Sequence, residues 1–156
     1  MAVLALPSGC TTVPSRSGLN PPLPLRVVGT KLVNRHGDPV WLRGVNAASL
    51  EWTSDGDGHI LRTVHVAICD WHVNVLRLPL AQDRWFGKAP EQRDGGKSYR
   101  QLVQQVVELC ETNRCYIILD LHWSDCNEWG TNIGQHSMPD AEQRGLLEGF
   151  CPGLCQ

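Results

Sequence analysis

Long apolar runs and runs of like charge are both absent from this sequence. No apolar stretch approaches the roughly 20 residues that a membrane-spanning helix needs, so we expect no membrane partner. Lysine and arginine form no basic cluster and the net charge is only -2, so the sequence predicts no positively charged surface that would bind nucleic acid. With 156 residues, 42% hydrophobic and 19% charged, the chain is expected to be one globular domain or part of a larger one.

The sequence also lacks the spacings that hold metal ions. Its seven cysteines include no Cys-x-x-Cys pair and no companion histidine at zinc-finger spacing. His59, His65 and His72 lack the i, i+4 spacing that places two imidazoles on one helical face, so we interpret them as part of a partly exposed helix side. We therefore expect no metal and no cofactor. Cys69 and Cys110 fall within helical patterns and are expected to be small core residues.

The first 25 residues are rich in Pro, Ser and Gly and show no periodicity. We interpret residues 1–25 as a linker or disordered arm. The apolar run Ala2–Leu6 is too short for the core of a secretory signal and no basic segment precedes it. No complete signal peptide is therefore expected in this sequence.

The strongest strand signal is Tyr116–Trp123, a run of β-branched, aromatic and apolar residues that ends in polar side chains. Alternation gives it one wholly apolar face, while Asp120 and His122 share the opposite face near the carboxyl end. Active groups of parallel α/β sheets lie at that end of a strand. His122 is therefore either an active group or a core histidine bonded to a backbone carbonyl.

A second strand of the same form, Asn74–Leu80, carries an arginine within an apolar run. Arg77 lies on the face opposite the leucines, and a cation in such a place needs a partner. It is either the cation of a structural ion pair with Asp120 or a group that keeps an active-site carboxylate ionised. Pro79 has no N–H to donate, so we expect the strand to end near it.

Residues 26–46 predict a strand, a turn and a second strand. Arg26–Val33 and Pro39–Asn46 are the expected strands, and the polar turn at 34–38 contains a glycine. Gly44 shares a face with Asn46, which suits a position where a backbone or a ligand approaches closely. Asn46 is the third polar group expected at the end of a strand.

Two helices are predicted between these strands. Apolar residues at helical spacing cover His59–Trp71 and include Trp71 itself. After a loop at 82–97, a Ser98-x-x-Gln101 capping box starts the second helix. The order β-α-β-α-β with short connections indicates a parallel sheet.

Three segments in this order carry a resemblance to a known family. They read LRGVN at Leu42–Asn46, NVLRLPL at Asn74–Leu80 and LDLHW at Leu119–Trp123. Together they resemble glycoside hydrolase family 5, the cellulase family, over residues 26–140. The resemblance implies a (β/α)₈ TIM barrel, of which this α/β chain supplies a hairpin at 26–40 and the first three strands. It also implies a secreted enzyme that hydrolyses a β-glycan with retention, with a β-1,4-glucan as the expected substrate.

The resemblance further implies roles for individual residues. Arg77 is similar to the family's arginine that bonds the nucleophilic carboxylate, and His122 to the histidine beside the sugar ring at the cleavage point. Asn46 and Trp129 complete the expected support and substrate-binding set, although a loop tryptophan such as Trp129 either stacks on sugars or simply packs. The family's two catalytic glutamates follow its fourth and seventh strands, one of them in an Asn-Glu-Pro motif that this sequence does not contain.

The remaining carboxylates match no catalytic position. Asp120 is expected in a core ion pair, and Glu51, Asp125 and Glu128 are expected to be solvated loop charges. We therefore expect an N-terminal part of a glycosidase that is inactive alone, with β-glucan as its partner and no defined protein partner. The alternatives are a small stand-alone α/β module that binds carbohydrate without catalysis, and the product of a broken gene.

The tail at 141–156 departs from the pattern of a barrel. Gly145, Gly149, Pro152 and Gly153 make it a poor helix where a barrel needs its third one. With one permitted choice of codons, removing a single base at codon 142 converts the tail into a peptide with apolar residues at helical spacing that resembles the family's continuation. We therefore predict a single-base insertion near codon 142 and a non-native, frameshifted tail.

Sequencing the locus tests this prediction. The shifted frame is expected to encode Asn-Glu-Pro and the remaining strands. A shifted frame that does not continue into a glycosidase contradicts the prediction.

Overall fold

The computed structural model describes residues 20–124, which form two small sheets and three helices. The strands are β1 (Leu25–Val28), β2 (Lys31–Asn34), β3 (Gly44–Asn46), β4 (Val75–Ala81) and β5 (Tyr116–Trp123), and the helices are α1 (Ile60–Cys69), α2 (Gln82–Trp85) and α3 (Lys97–Thr112). A single 3₁₀ turn, Gly56–Gly58, precedes α1. Within 20–124, no helix is both long and apolar enough to cross a membrane.

The N-terminal hairpin differs from the predicted one. β1 and β2 pair antiparallel around a two-residue loop, so the single strand predicted over Arg26–Val33 is wrong. The chain reverses at Gly29 because this glycine adopts a positive φ of 59°. A glycine in the first position of a two-residue loop suits a type II′ turn, and this is the signal that sequence reasoning missed.

The strand predicted over Pro39–Asn46 is regular only in its last three residues, Gly44–Asn46. Before that point, Pro39 forms one isolated bridge to Val33. Between Pro39 and β3, the side chain of Asn74 forms hydrogen bonds with the backbone of Trp41 and Arg43. Its Nδ2 donates to the carbonyl of Trp41 at 2.8 Å, and its Oδ1 accepts from the amide of Arg43 at 2.7 Å. A side-chain amide thus replaces the strand ladder there.

The main sheet is parallel, in the order β3-β4-β5, as the β-α-β-α-β pattern predicts. The expected close approach at Gly44 is confirmed. Gly44 pairs with Val75, and a Cβ built on Gly44 would lie 1.9 Å from the carbonyl oxygen of Val75. Only a residue without a side chain allows this separation between the two strands.

β4 spans Val75–Ala81, so it ends two residues beyond Pro79 and one beyond the predicted end at Leu80. The carbonyl of Arg77 accepts from the amide of Ala47 on the β3 side, at 2.9 Å. Residues two apart along a strand direct their backbone groups to the same side, so Pro79 also faces that side. The β3 ladder has already ended at Asn46, and the missing N–H of Pro79 therefore costs no hydrogen bond.

The core lies between the sheet and the helices. Leu76, Leu78 and Leu80 of β4 are fully buried and pack with apolar residues of α1 and α3. This confirms the apolar faces predicted for the strand and for both helices. Trp71 is an exception, because α1 ends at Cys69 and leaves this side chain 66% exposed.

The two cysteines predicted in helical patterns have different environments. Cys110 is fully buried in the core, as expected. Cys69 is only partly buried against the core and is disulfide-bonded, so its description as a simple core residue is incomplete.

The capping box predicted at Ser98 is wrong. α3 begins one residue earlier, at Lys97, with Gly96 as the N-cap in a left-handed conformation. The carboxylate of Asp94 provides the cap instead, with Oδ1 accepting from the amide of Gly96 at 3.0 Å and Oδ2 from the amide of Ser98 at 2.7 Å. Hydrogen bonds from the Ser98 hydroxyl and amide hold the pKa of the Asp94 carboxyl below its usual range.

Tyr99 of α3 connects the helix layer to the loops at the carboxyl ends of the strands. Its hydroxyl donates to the carbonyl of Leu50 at 2.7 Å and accepts from the amide of Ala81 at 3.2 Å. Burial raises the pKa of this phenol, which keeps the hydroxyl proton in place as a donor. The loop after β3 and the end of β4 are therefore held to one point in the core.

The close approach at Gly44 leads to a stability prediction. Gly44→Ala should lower the free energy of unfolding by about 2 kcal/mol or more, because the new methyl group would overlap the Val75 carbonyl. Gly58→Ala is the control. A Cβ at Gly58 meets nothing within 4 Å, so only the positive φ of 69° is penalised, at about 1 kcal/mol. Urea denaturation checks both variants, and equal losses would contradict the steric explanation.

Candidate active site

Four polar side chains meet on the face of the main sheet opposite the helices. Asn46 ends β3, Arg77 lies in β4, and Asp120 and His122 lie near the end of β5. Asn46 is the direct neighbour of Arg77 across the β3-β4 pair, while Asp120 lies opposite Pro79 in the β4-β5 pair. The parallel register thus brings together three of the predicted site residues, Asn46, Arg77 and His122, with the predicted ion-pair partner Asp120.

Arg77 is the centre of this cluster. Its Nη1 donates to Oδ1 of Asn46 at 3.3 Å, and its Nη2 forms an ion pair with Oδ2 of Asp120. The expected pairing of Arg77 with Asp120 is therefore confirmed. A guanidinium with five N–H donors is not saturated by these two acceptors.

His122 lies against both members of the ion pair. Its Nδ1 is 2.9 Å from Oδ2 of Asp120 and 3.1 Å from Nη2 of Arg77. One ring nitrogen cannot both donate to the carboxylate and accept from the guanidinium. The shorter contact, to the carboxylate, favours the tautomer that carries its proton on Nδ1, directed to Asp120, with Nε2 as the acceptor. This contact to a carboxylate replaces the backbone carbonyl proposed as the alternative partner of His122.

The cluster is open to solvent. The side chains of Arg77, Asp120 and His122 are 33%, 28% and 45% exposed. Beside them is an open depression of about 250 Å³, lined by Asn46 and Arg77 together with apolar residues that include Ile118. The site can therefore offer a cation, an imidazole acceptor and an amide to a ligand that also has apolar surface.

The described residues do not include a pair of carboxyl groups that face each other across this site. Glu51, expected to be a solvated loop charge, is instead buried, because its Oε2 turns back to accept from the amide of Ser49 at 2.8 Å. Trp129, Asp125 and Glu128 lie outside the described residues. Over 20–124, no group of three or more His, Cys, Asp or Glu side chains is arranged to hold a metal ion.

Sequence reasoning missed a second polar cluster, around Arg84. This arginine follows β4 in the short helix α2 and is buried. Its guanidinium donates to the hydroxyl of Ser54 at 2.9 Å and to the carbonyl of Trp52 at 2.7 Å, and it pairs with Glu91. Burial alone would raise the pKa of Glu91, but hydrogen bonds from Ser54 and the charge of Arg84 outweigh it and lower the pKa.

The Arg84 cluster joins the loops that follow β3 and β4. An arginine and a glutamate seven residues apart in a region predicted as a loop gave no periodic signal, which is why the cluster was not foreseen. Its position at the carboxyl ends of the strands makes it a support for the loops that border the candidate site.

Comparison with known proteins bears on the identity of this fold. The family model for cellulase (glycosyl hydrolase family 5) matches residues 33–145. The chain belongs to this family. The matched range contains the complete β3-β4-β5 sheet and all four residues of the cluster, and it confirms the resemblance carried by the three sequence motifs.

Two endoglucanases are similar in sequence to this family 5 chain. Endoglucanase E-5 of Thermobifida fusca is 25% identical over 101 residues, which are 63% of this chain and 20% of the relative. Endoglucanase A of Butyrivibrio fibrisolvens is 26% identical over 108 residues, which are 67% of this chain and 25% of the relative. The chain therefore spans a fifth to a quarter of the length of these relatives.

A double-mutant cycle tests the central ion pair. Arg77→Gln and Asp120→Asn should each lower the free energy of unfolding, and the double variant should lose less than the sum because either change already breaks the pair. We expect a coupling energy of about 1 kcal/mol, since both side chains are about one third exposed and solvent screens the pair.

Urea denaturation of the four proteins measures the coupling. The control cycle combines Asp120→Asn with Arg93→Gln, because Arg93 donates to the carbonyls of Pro90 and Gln92 and should be additive with Asp120. Equal coupling in the two cycles would contradict a specific contact between Arg77 and Asp120.

Proposed function

We propose that this chain is the N-terminal portion of a (β/α)₈ barrel that hydrolyses β-glucan with retention. The observation that carries the proposal is the contact of Arg77, from within β4, with His122 near the carboxyl end of the adjacent parallel strand β5, in a chain of family 5. Active sites of (β/α)₈ barrels form at this end of the strands.

The barrel architecture is supported by the open sheet. Over residues 20–124, β3 and β5 each pair with β4 on one side only. Ile118 lies on the face that a barrel would enclose and is 50% exposed. Inward-pointing β-branched residues fill the interior of such barrels in layers, so Ile118 is well placed for a layer completed by further strands. Pro79 on the same face is already buried.

The roles proposed for the site follow from its chemistry. Arg77 would hold the nucleophilic carboxylate ionised, using donor capacity that Asp120 and Asn46 leave unfilled. His122 would lie beside the sugar ring, with Nε2 as an acceptor for a sugar hydroxyl. Trp129 would provide an aromatic platform for a sugar face.

Retaining hydrolysis needs a carboxylic acid and a carboxylate about 5 to 5.5 Å apart. Neither an arginine nor a neutral imidazole can form the glycosyl intermediate. The sequence has no Asn-Glu-Pro motif, and we propose that both catalytic glutamates are missing from this chain. The chain would therefore contribute binding and support groups without turnover.

The proposal extends to location and domain limits. A polymeric glucan cannot enter a cell, so an enzyme of this class would act outside it, and we include secretion in the proposal. The arm at 1–25, the partial barrel domain at 26–140 and the frameshifted tail at 141–156 remain predictions.

The activity of the purified chain tests the proposal. It should release no reducing sugar from a soluble β-1,4-glucan such as carboxymethylcellulose, because the acid and the nucleophile are missing. Turnover that His122→Ala abolishes would contradict this. Tight binding of a cello-oligosaccharide without turnover, weakened by His122→Ala, would instead support the carbohydrate-binding module.

A frame-restored gene, with one base removed near codon 142, provides the matched positive experiment. Its product should hydrolyse the same glucan. Arg77→Met should lower kcat on the order of 100-fold through loss of the positive charge beside the nucleophile. Arg77→Lys is the control, since it keeps the charge and loses only the fork geometry. A restored product without activity on β-glucans would exclude the proposed substrate class.

A further inference from the structure

The turn between α3 and β5 has two cysteines at its ends. The amide of Cys115 donates to the carbonyl of Cys110 at 2.9 Å, and the amide of Arg114 donates to the carbonyl of Glu111 at 3.3 Å. Arg114 has a positive φ of 55°. These two hydrogen bonds around a left-handed residue define a Schellman motif, in which the side chains of the first and last residues pack together.

In most Schellman motifs that contact is between two hydrophobic side chains, whereas here it joins two thiols. Cys110 and Cys115 are 0% and 2% exposed, and both are free cysteines. The two thiols are close enough to influence each other electrostatically, and the Cys115 thiol donates to the carbonyl of Tyr116 at 3.4 Å. Neither residue belongs to the candidate active site, so this contact is unexplained by the proposed function.

The two thiols are not equivalent. The hydrogen bond that Cys115 accepts from Cys110 lowers the pKa of Cys115, and the same bond together with burial raises the pKa of Cys110. Because the thiolate is the nucleophile in disulfide exchange, Cys115 is the residue expected to react first.

We propose that Cys110 and Cys115 form a reversible intramolecular disulfide across this turn, with a low-molecular-weight disulfide such as oxidised glutathione as the oxidant. Side chains held at the two ends of one hydrogen-bonded turn are favourably placed for the short Cβ–Cβ separation that a disulfide requires. Cys69 is disulfide-bonded, and stable disulfides are typical of proteins in oxidising compartments.

The reaction has two exchange steps. The thiolate of Cys115 attacks one sulfur of oxidised glutathione, which forms a mixed disulfide and releases one glutathione thiolate. That thiolate takes the proton of Cys110, and the new Cys110 thiolate attacks Sγ of Cys115 and releases the second glutathione. Two protein thiols are thereby oxidised to one disulfide, and one glutathione disulfide is reduced to two thiols.

Access to Cys115 requires a local opening of the turn. The left-handed Arg114 is strained for a residue with a side chain, and it is exposed, which makes this turn a favourable place to open. Once formed, the disulfide would fix the end of α3 to the residue before β5. β5 carries Asp120 and His122, so the crosslink would join the helix layer to the strand that presents them.

Peptide mapping tests the proposal on the full chain. Trypsin cleaves after Arg114, so Cys110 leaves in the peptide 101–114 and Cys115 in the peptide 115–144. Only a disulfide keeps these two peptides together. Peptide 115–144 also contains Cys126, so the measurement is made on the variant Cys126→Ser.

The protein is equilibrated in glutathione redox buffer, quenched with acid and alkylated, once folded and once in concentrated urea. The linked peptides report the equilibrium constant for forming the Cys110–Cys115 disulfide from oxidised glutathione. This constant should be about tenfold or more higher in the folded chain than in urea, because the motif holds the thiols together. Equal values in the two conditions, or free thiols only in the folded chain, would overturn the proposal.

Cys110→Ser tests the order of the two steps. This variant should accumulate glutathione on Cys115, because the second thiol is missing. Cys115→Ser is the matched variant and should leave Cys110 largely unmodified under the same conditions. Glutathione found on Cys110 rather than on Cys115 would overturn the assigned order.

Discussion

The parallel register of β4 with its two neighbours is the constraint on which the rest of the structure depends. Because β4 pairs with β3 on one side and β5 on the other, side chains of three strands reach one face, with Asn46 level with Arg77 and Asp120 opposite Pro79. A shift of one residue in either pair would turn the polar group of that strand into the helix layer. The register is fixed by Leu76, Leu78 and Leu80, whose burial against the helices leaves Arg77 only the opposite face.

Two devices keep this register in place. On one side, Gly44 allows the backbone of β3 to approach Val75 closely at the start of the β3-β4 pair. On the other, Tyr99 and Arg84 hold the loops at the carboxyl ends of the strands through hydrogen bonds to backbone carbonyls. The loops that border a site are therefore anchored by buried side chains, which favours a fixed geometry over a mobile one.

The polar cluster can still bind a ligand through Arg77. Arg77 already bonds Asp120 and Asn46, yet a guanidinium has donors to spare. Partial exposure keeps the desolvation cost of this charge moderate, so the cation remains accessible to a ligand from solvent. His122 is oriented by the same Asp120 oxygen that binds Arg77, so the cation and the imidazole share one support.

The sequence by itself determined the order of strands and helices, the apolar faces and three of the polar residues at the strand ends, because periodicity and burial are properties of short segments. Three sequence motifs also indicated the family to which the chain belongs. Only the tertiary structure decided that Asn74 bonds the backbone ahead of β3, that Asp94 rather than Ser98 caps α3, and that Glu51 is buried. Each of these depends on groups that lie apart in the chain or on the end of a neighbouring strand. The contact of Arg77 with both Asp120 and His122 belongs to the same class, since residues more than forty positions apart meet only when the strands pair.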